Sequence, residues 1–291
     1  MIILRDKPGQ LCNRLWSYSF FIAYGLKHDI KVYIPNLKEY ESLFENLDQY
    51  PKIRFRLSNN KRLEKAIRHV ALTIYLFEKI KLGFIFKVLD IHFPNKNVLN
   101  DQFCCKKSIV YINSWKHTKD FDAIVKYKAE ILSLFTPKKE FRDNVDTLFT
   151  ALRTEYNLLV GVHIRRGDYA TFKNGMYYYE DEVYRKYMLL VKSQFPDKNI
   201  GFFVSSNATI NADEYLGLHI HQLLYAKGIE DLYALGLCDY IMGPPSTFSM
   251  WASYYGSVPL KILNNRNETF SINDFSIIRY QNTFENGSRY E

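Results

Sequence analysis

The chain has 291 residues and a formal net charge of +8 at pH 7, because 39 Lys and Arg residues outnumber 31 Asp and Glu residues. Charged residues make up 24% and apolar residues 47% of the sequence, which is typical of a globular protein and excludes a disordered, collagen-like or disulfide-scaffold chain. The length predicts two domains, and a basic chain that is 16% aromatic suits a nucleic acid, an anionic membrane, a phosphorylated ligand or a sugar as partner.

The first half of the chain alternates predicted strands and helices, as an α/β domain does. In chain order we predict a strand at 1–4, a helix at 14–26, strands at 30–34 and 108–113, and helices at 121–134 and 140–156. We place the domain boundary near residue 150, which gives a first domain of residues 1–150 and a second of residues 151–291.

Residues 61–81 form a basic, amphipathic segment within this first half. Its apolar residues recur at helical spacing: Leu63, Ile67, Val70, Ile74 and Phe77. Two interpretations stay open, namely a surface helix with a solvated basic face and a helix that lies on an anionic membrane. The sequence has no CxxC spacing, so we interpret its four cysteines as reduced thiols and expect a cytoplasmic protein, with the inner membrane surface as the place where such a helix would bind.

The second half of the chain alternates strands and helices more regularly. We predict strands at 158–164, 199–205, 240–243 and 260–263, and helices at 181–194, 230–237 and 247–254. This order predicts a doubly wound, mostly parallel sheet, in which ligands bind beyond the carboxyl ends of the strands. The residues that follow each strand are therefore the candidate site.

Two arginines follow the first of these strands. His163 and Arg165 share one face by strand alternation, and Arg166, Gly167 and Asp168 come directly afterwards. A guanidinium binds phosphate oxygens in pairs and stays charged at every relevant pH. A surface ion pair between an arginine and Asp168 is the alternative interpretation.

Three other segments carry polar groups that suit a ligand. Ser205 ends the second of these strands, where its hydroxyl can bind a ribose or base or cap a helix. Ser246 and Thr247 follow a Gly-Pro-Pro turn and begin a helix, whose N-terminus favours an anion if it does more than cap itself. The loop at 9–14 offers the amide of Asn13 and the guanidinium of Arg14.

The sequence His163-Ile164-Arg165-Arg166-Gly167-Asp168-Tyr169 resembles the HxRRGDY signature of the α-1,2-fucosyltransferases of glycosyltransferase family 11. Four outer segments resemble further blocks of that family in the same order: residues 9–14, 111–138, 202–207 and 231–251. The first block reads GQLCNR where the family has GGLGNQ, and Ser206-Asn207 replaces an acidic pair. The chain therefore resembles a divergent member of the family.

The resemblance implies an α/β fold of the GT-B-like class, with two Rossmann-like domains facing across a cleft. It implies that the second domain binds GDP-β-L-fucose, that the first binds an oligosaccharide acceptor, and that an inverting transfer proceeds without metal or cofactor. It also implies an α-1,2 linkage to a galactose-type acceptor. The alternatives are a related transferase with another nucleotide sugar or linkage, and a basic membrane- or nucleic-acid-binding module without catalysis; we expect no nucleic-acid partner.

The chemistry of the leaving group favours arginine over a metal ion. The one DxD motif, Asp120-Phe121-Asp122, starts a predicted helix and follows no strand, so we interpret it as a helix cap. Charge that develops on GDP as the sugar bond breaks must then be neutralised by fixed positive groups, a large catalytic effect in many enzymes. We expect no metal ligands in this chain.

The resemblance also suggests a role for each candidate residue. We assign Arg165 to the β-phosphate with Arg166 in support, and His163 to the nucleotide or the acceptor cleft. Diphosphate and sugar would be held by Ser246, Thr247 and Phe248, and Asn13 would reach across from the first domain. The general base is Asp168 or Asp181, with Glu180 third, and Asp168 has the alternative role of orienting an arginine.

Overall fold

A computed structural model describes residues 1–56, 58, 60, 62, 63, 65, 66, 69, 70, 73, 91, 92, 109–116 and 121–290. Within this range the chain forms two compact units, Met1–Thr136 and Pro137–Glu291. Most of the basic segment predicted at 61–81 lies outside the described residues, as does Asp120 of the DxD motif.

The boundary between the units falls at 136/137, ahead of the predicted position near 150. The reason is the helix Lys139–Glu155, which we call α4 and which packs within the second unit. The amide of Asn144 donates to Glu230 at 2.9 Å, and the hydroxyl of Tyr233 donates to Asp146 at 3.1 Å. These contacts join residues 86 and 87 positions apart in sequence. The apolar spacing of α4 predicts a helix, but it does not show which domain the helix packs against.

The first unit is built on a five-stranded parallel sheet with the order β3-β2-β1-β5-β4. Its strands are β1 (Ile2–Leu4), β2 (Val32–Tyr33), β3 (Ile53–Arg54), β4 (Ile91–His92) and β5 (Ile109–Ile112). Its described helices are α1 (Leu11–Lys27), α2 (Phe121–Lys126) and α3 (Lys128–Leu134). The single helix predicted over 121–134 is therefore interrupted, at Tyr127, whose backbone leaves helical geometry.

The second unit holds another five-stranded parallel sheet, with the order β10-β9-β6-β7-β8. Its strands are β6 (Leu158–Ile164), β7 (Ile200–Ser206), β8 (His219–His221), β9 (Tyr240–Gly243) and β10 (Leu260–Ile262). Besides α4, its helices are α5 (Asp181–Ser193), α6 (Gly228–Leu235) and α7 (Thr247–Gly256). A short antiparallel hairpin, β11 (Ile278–Tyr280) and β12 (Thr283–Phe284), follows the sheet.

The strand order places a topological switch point in each sheet. In the second unit the chain runs outward from β6 through β7 to β8, then returns to the other side of β6 as β9 and β10. The switch point lies between β6 and β9, and in the first unit the corresponding point lies between β1 and β5. Open parallel sheets bind ligands at the carboxyl edge of such points.

The predicted α/β fold with parallel sheets is confirmed in both units. Leu159, Val160, Val162 and Ile164 on β6 are all fully buried, as expected for a central strand covered on both faces. None of the helices in the part of the chain that the structure describes combines the length and the hydropathy needed to span a bilayer.

Candidate active site

The switch point of the second unit depends on a close approach between β6 and β9. A β-carbon on Gly243, the last residue of β9, would lie 2.7 Å from the carbonyl oxygen of His163 and 2.9 Å from its Cβ. Real side chains cannot occupy that space, so glycine is required here. The residues after β6 and after β9 are consequently brought to one place at the carboxyl edge of the sheet.

Arg165 follows β6 and points its guanidinium into this edge. Its Nη2 lies 2.9 Å from Oδ1 of Asp168, and its central carbon lies 5.8 Å from the ring centroid of Tyr169. The side chain of Asp168 is 61% exposed, whereas that of Arg165 is 21% exposed. An ion pair this open to water is weak and leaves the remaining donors of the guanidinium available to a ligand.

Tyr169 connects the loop after β6 to the start of α7. Its hydroxyl donates to the carbonyl of Pro245, the residue directly before Ser246. Ser246 is the N-cap of α7 and accepts from the backbone N–H of Phe248 at 3.2 Å. Tyr169 thus contacts both Arg165 and the segment at the N-terminus of the ten-residue helix α7. The guanidinium and the helix N-terminus are both positive, so together they suit an anion, and we call this pair of groups the cradle.

A buried polar cluster lies beside this cradle. His163 is 3% exposed, its ring centroid is 5.1 Å from that of Phe248, and its Nδ1 has no hydrogen-bond partner among the described residues. Burial, with a smaller effect of the Arg165 charge, lowers the pKa of His163 to about 3. The imidazole is therefore neutral at physiological pH and has an unused hydrogen-bonding nitrogen.

Asp231, at the start of α6, completes the cluster. Ser205 pairs with His163 in the register of β6 and β7, so the two side chains share a face of the sheet, and the buried Ser205 lies beside the Asp231 carboxyl. Burial, assisted by the charge of Glu230, raises the pKa of Asp231 to about 7. Sequence reasoning did not single out Asp231, because an acid in the first turn of a helix is ordinary; its only signal was its place in the block that resembles the family.

Arg166 and Asp181, two further predicted site residues, form an ion pair with each other. Nη2 of Arg166 lies 2.6 Å from Oδ1 of Asp181, and both side chains are 12% exposed. Asp181 also accepts from the hydroxyl of Tyr215 at 2.6 Å and from the backbone N–H of Asn211 at 3.3 Å. Both carboxylate oxygens are thus engaged: Oδ1 ties the loop after β6 to α5, and Oδ2 contacts the segment after β7.

The three carboxylates predicted as candidate bases differ in their surroundings. Asp181 is committed to Arg166 and Tyr215, and Glu180 is paired with Arg266 at 3.0 Å. Asp168 is the most exposed of the three and lies beside Arg165. All three carboxylates thus have an arginine partner, and that of Asp168 is Arg165 at 2.9 Å.

In the first unit, Arg14 shapes the loop that precedes α1. It is 3% exposed, donates to the carbonyls of Gly9 at 3.2 Å and Asn36 at 2.9 Å, and pairs with Glu39 at 2.9 Å. Asn13 folds over Gly9, whose φ is +46° and where a β-carbon would lie 2.3 Å from the amide nitrogen of Asn13. The hydrogen bonds of Arg14 thus fix the backbone of this loop, and the side chain of Asn13 packs against Gly9.

The described residues contain no group of three or more His, Cys, Asp or Glu side chains arranged to hold a metal ion. The positive groups at the edge of the second sheet are the Arg165 guanidinium and the N-terminus of α7.

Several solved structures of fucosyltransferases have the same fold. A mutant of Arabidopsis thaliana FUT1 in complex with GDP aligns with a TM-score of 0.54 at 14% identity, over 100% of this chain and 78% of that chain. The NodZ α-1,6-fucosyltransferase soaked with GDP-fucose aligns with a TM-score of 0.54 at 13% identity, over 94% and 96% of the two chains. POFUT1 in complex with GDP-fucose gives a TM-score of 0.55 at 11% identity, over 91% and 96%. At these identities the likeness establishes the fold, and the predicted GT-B-like class is confirmed.

The family model identifies the chain as a glycosyltransferase. The sequence matches the model of the family described as Glycosyl transferase family 11 over residues 91–281, about two thirds of the chain. The chain therefore belongs to glycosyl transferase family 11, and the predicted membership of that family is confirmed. No curated protein matches the sequence significantly.

Proposed function

We propose that this protein transfers L-fucose from GDP-β-L-fucose to a hydroxyl of a glycan, with inversion and without a metal ion, forming an α-1,2 linkage to a galactose-type acceptor. Residues 137–291 bind the nucleotide sugar, and residues 1–136 bind the acceptor. The observation that carries the proposal is the guanidinium of Arg165 at the switch point, joined through Tyr169 to the N-terminus of α7.

Arg165 and α7 hold the diphosphate. The acceptor oxygen attacks C1 of fucose, the bond from C1 to the β-phosphate oxygen breaks, and GDP leaves with the electron pair. The charge that develops on this oxygen faces the guanidinium and the backbone N–H groups at Ser246 and Thr247, which are fixed before the reaction begins. Preorganised donors of this kind contribute roughly 10²–10³ in rate each.

His163, Ser205 and Asp231 form the pocket for the base of the nucleotide. Guanine presents two adjacent N–H donors on one edge, and a carboxylate accepts both of them in a planar, bidentate arrangement. Asp231 lies beside Ser205 and is largely withdrawn from water, which strengthens such a contact. The neutral imidazole of His163 supplies a further hydrogen-bonding group, and Phe248 packs against its ring.

Asp168 accepts the proton of the attacking hydroxyl or, in its other role, orients Arg165. Its exposure and its 2.9 Å contact with Arg165 are compatible with both roles. Arg166 and Asp181 support the site by fixing the loop after β6, and Arg14 fixes the loop that presents Asn13.

Incubation with GDP-fucose and with other nucleotide sugars tests this proposal. We expect release of GDP from GDP-fucose, faster in the presence of a β-galactoside such as lactose and unaltered by EDTA. Release only from another donor would favour a related transferase, and strong inhibition by EDTA would contradict metal independence. A salt-sensitive gel shift without stabilisation by GDP would favour a basic binding module instead.

A further inference from the structure

The switch point of the first unit presents an exposed tryptophan. β1 and β5 are paired from Ile2 to Leu4, and the chain after β5 forms a short 3-10 turn, Ser114–Lys116. Trp115 lies on this turn and is 48% exposed, whereas the two other tryptophans of the chain, Trp16 and Trp251, are each 1% exposed. Its position at the carboxyl edge of a parallel sheet, where such folds bind ligands, makes Trp115 a candidate binding residue.

Asp6, which follows β1, fixes the position of Trp115. Its Oδ1 accepts from the backbone N–H of Ser114 at 2.7 Å, and its Oδ2 accepts from the backbone N–H of Trp115 at 2.9 Å. Charge-assisted hydrogen bonds of this kind are roughly twice as strong as neutral ones. The turn is therefore clamped by both oxygens of a single carboxylate.

The backbone that carries Asp6 is itself braced by three hydrogen bonds. The amide of Asn36 donates to the carbonyls of Arg5 and Asp6 at 3.0 Å each, and the hydroxyl of Tyr18 donates to the Asp6 carbonyl at 3.2 Å. Nε of Arg5 donates to Asn113 Oδ1 at 2.9 Å, which ties the ends of β1 and β5 together. These hydrogen bonds fix the backbone that carries the exposed indole before any ligand binds. A surface that is ordered in advance binds with a lower entropic cost.

We propose that Trp115 is the platform on which the galactose residue of the acceptor stacks. In β-galactose the axial O4 leaves the C–H groups at positions 3, 4 and 5 on the opposite face, which forms an apolar patch the size of an aromatic ring. Stacking that patch on the indole leaves the equatorial O2 at the rim of the sugar, where it can attack. The polar side chains of Arg5 and Asn113 lie at the same edge and suit the remaining hydroxyl groups.

The inference rests on the proposed fucosyl transfer, and two readouts separate the two ideas. The first readout is Trp115 fluorescence: because Trp16 and Trp251 are buried, the exposed indole dominates any response to a bound sugar. With GDP present, we expect lactose to shift the emission to shorter wavelength. Cellobiose, whose outer sugar has an equatorial O4, should shift it far less, and Trp115→Phe should abolish the shift.

The second readout is steady-state kinetics with GDP-fucose and lactose. We expect Trp115→Ala to raise the KM for lactose by roughly tenfold, the size of a stacking contact, and Trp115→Phe to recover most of the loss. The KM for GDP-fucose and its slow hydrolysis without acceptor should stay within twofold of the wild type. Leu189→Ala, which truncates a 38% exposed side chain of α5 in the other unit, is the control and should change neither KM.

Each outcome decides one of the two ideas. An unchanged lactose KM in Trp115→Ala, or an equal rise in the KM for GDP-fucose, overturns the platform. Hydrolysis of GDP-fucose with no lactose-dependent shift in emission overturns the platform alone. A lactose-dependent shift without any consumption of GDP-fucose overturns the transfer reaction and supports the platform as a galactoside site.

Discussion

Asp231→Asn should make the protein more stable and a poorer binder of GDP. Burial raises the pKa of the Asp231 carboxyl to about 7, from about 4 in an unfolded chain. Above pH 7 the native state therefore carries a buried charge that the unfolded chain would hold at no cost. The difference of roughly three pH units corresponds to about 4 kcal/mol, which an uncharged asparagine of the same size does not incur.

The sign of the pH dependence follows from the same values. A carboxyl whose pKa is raised by folding binds its proton more tightly in the native state, so the wild type loses stability as the pH rises from about 4 to about 7. The gain in stability of Asp231→Asn should thus be largest above pH 7 and should disappear near pH 4. Binding of GDP needs the ionised carboxylate, so the affinity of the wild type should fall as the pH drops below about 7.

Thermal unfolding with and without GDP measures both effects. We expect Asp231→Asn to melt higher than the wild type at pH 8 without nucleotide, and to lose most of the increase in Tm that GDP confers on the wild type. Asp143→Asn is the control, because Asp143 is 55% exposed on α4 and forms a surface ion pair with Lys139, four residues away. This substitution should change the free energy of unfolding by less than about 0.5 kcal/mol. The reasoning is refuted if GDP stabilises Asp231→Asn as much as the wild type, or if the stability difference does not narrow toward pH 4.

Three further substitutions test neighbouring parts of the site. His163→Gln should reduce the loss of Tm between pH 6.5 and 4, because a histidine held neutral with a pKa of about 3 loses stability as the unfolded chain gains its proton; an unchanged loss contradicts this. Gly243→Ala should lower the free energy of unfolding in urea by about 1–3 kcal/mol through its clash with the His163 carbonyl, whereas no change would mean that β6 and β9 lie farther apart. Asp181→Asn should cost about 3 kcal/mol of stability by leaving Arg166 unpaired, while a fully stable variant without turnover would identify Asp181 as the base after all.

Much of the second unit could be predicted from the sequence because its strands are continuous apolar runs between clear breaks. Strands β6 and β9 have the predicted bounds, and α7 begins at Thr247 as predicted from its Gly-Pro-Pro turn. Strand β8 was missed because His219-Ile220-His221 is short and polar, and it pairs on one side only, at the edge of the sheet. The hairpin β11–β12 was missed for a similar reason, since its strands are only two and three residues long.

The candidate site was less predictable, because sequence spacing shows which residues follow a strand but not which partners they find. Arg165 was predicted from its position, and in the structure its guanidinium pairs with the neighbouring, exposed Asp168. Arg166, the next residue, is instead paired with Asp181, fifteen positions away and on another element. Asp231 begins the block at 231–251 that resembles the family, but the sequence does not show that α6 packs against β7 and withdraws this carboxyl from water.

The most direct test of the central claim is to measure GDP affinity and fucosyl transfer for Arg165→Ala beside the wild type. We expect the affinity for GDP to fall at least tenfold while that for guanosine, which lacks the diphosphate, stays the same. We expect kcat to fall by roughly 10²–10³ because the leaving group loses its principal positive partner. A variant that binds GDP and transfers fucose within twofold of the wild type would contradict the role of Arg165 and with it the proposed mechanism.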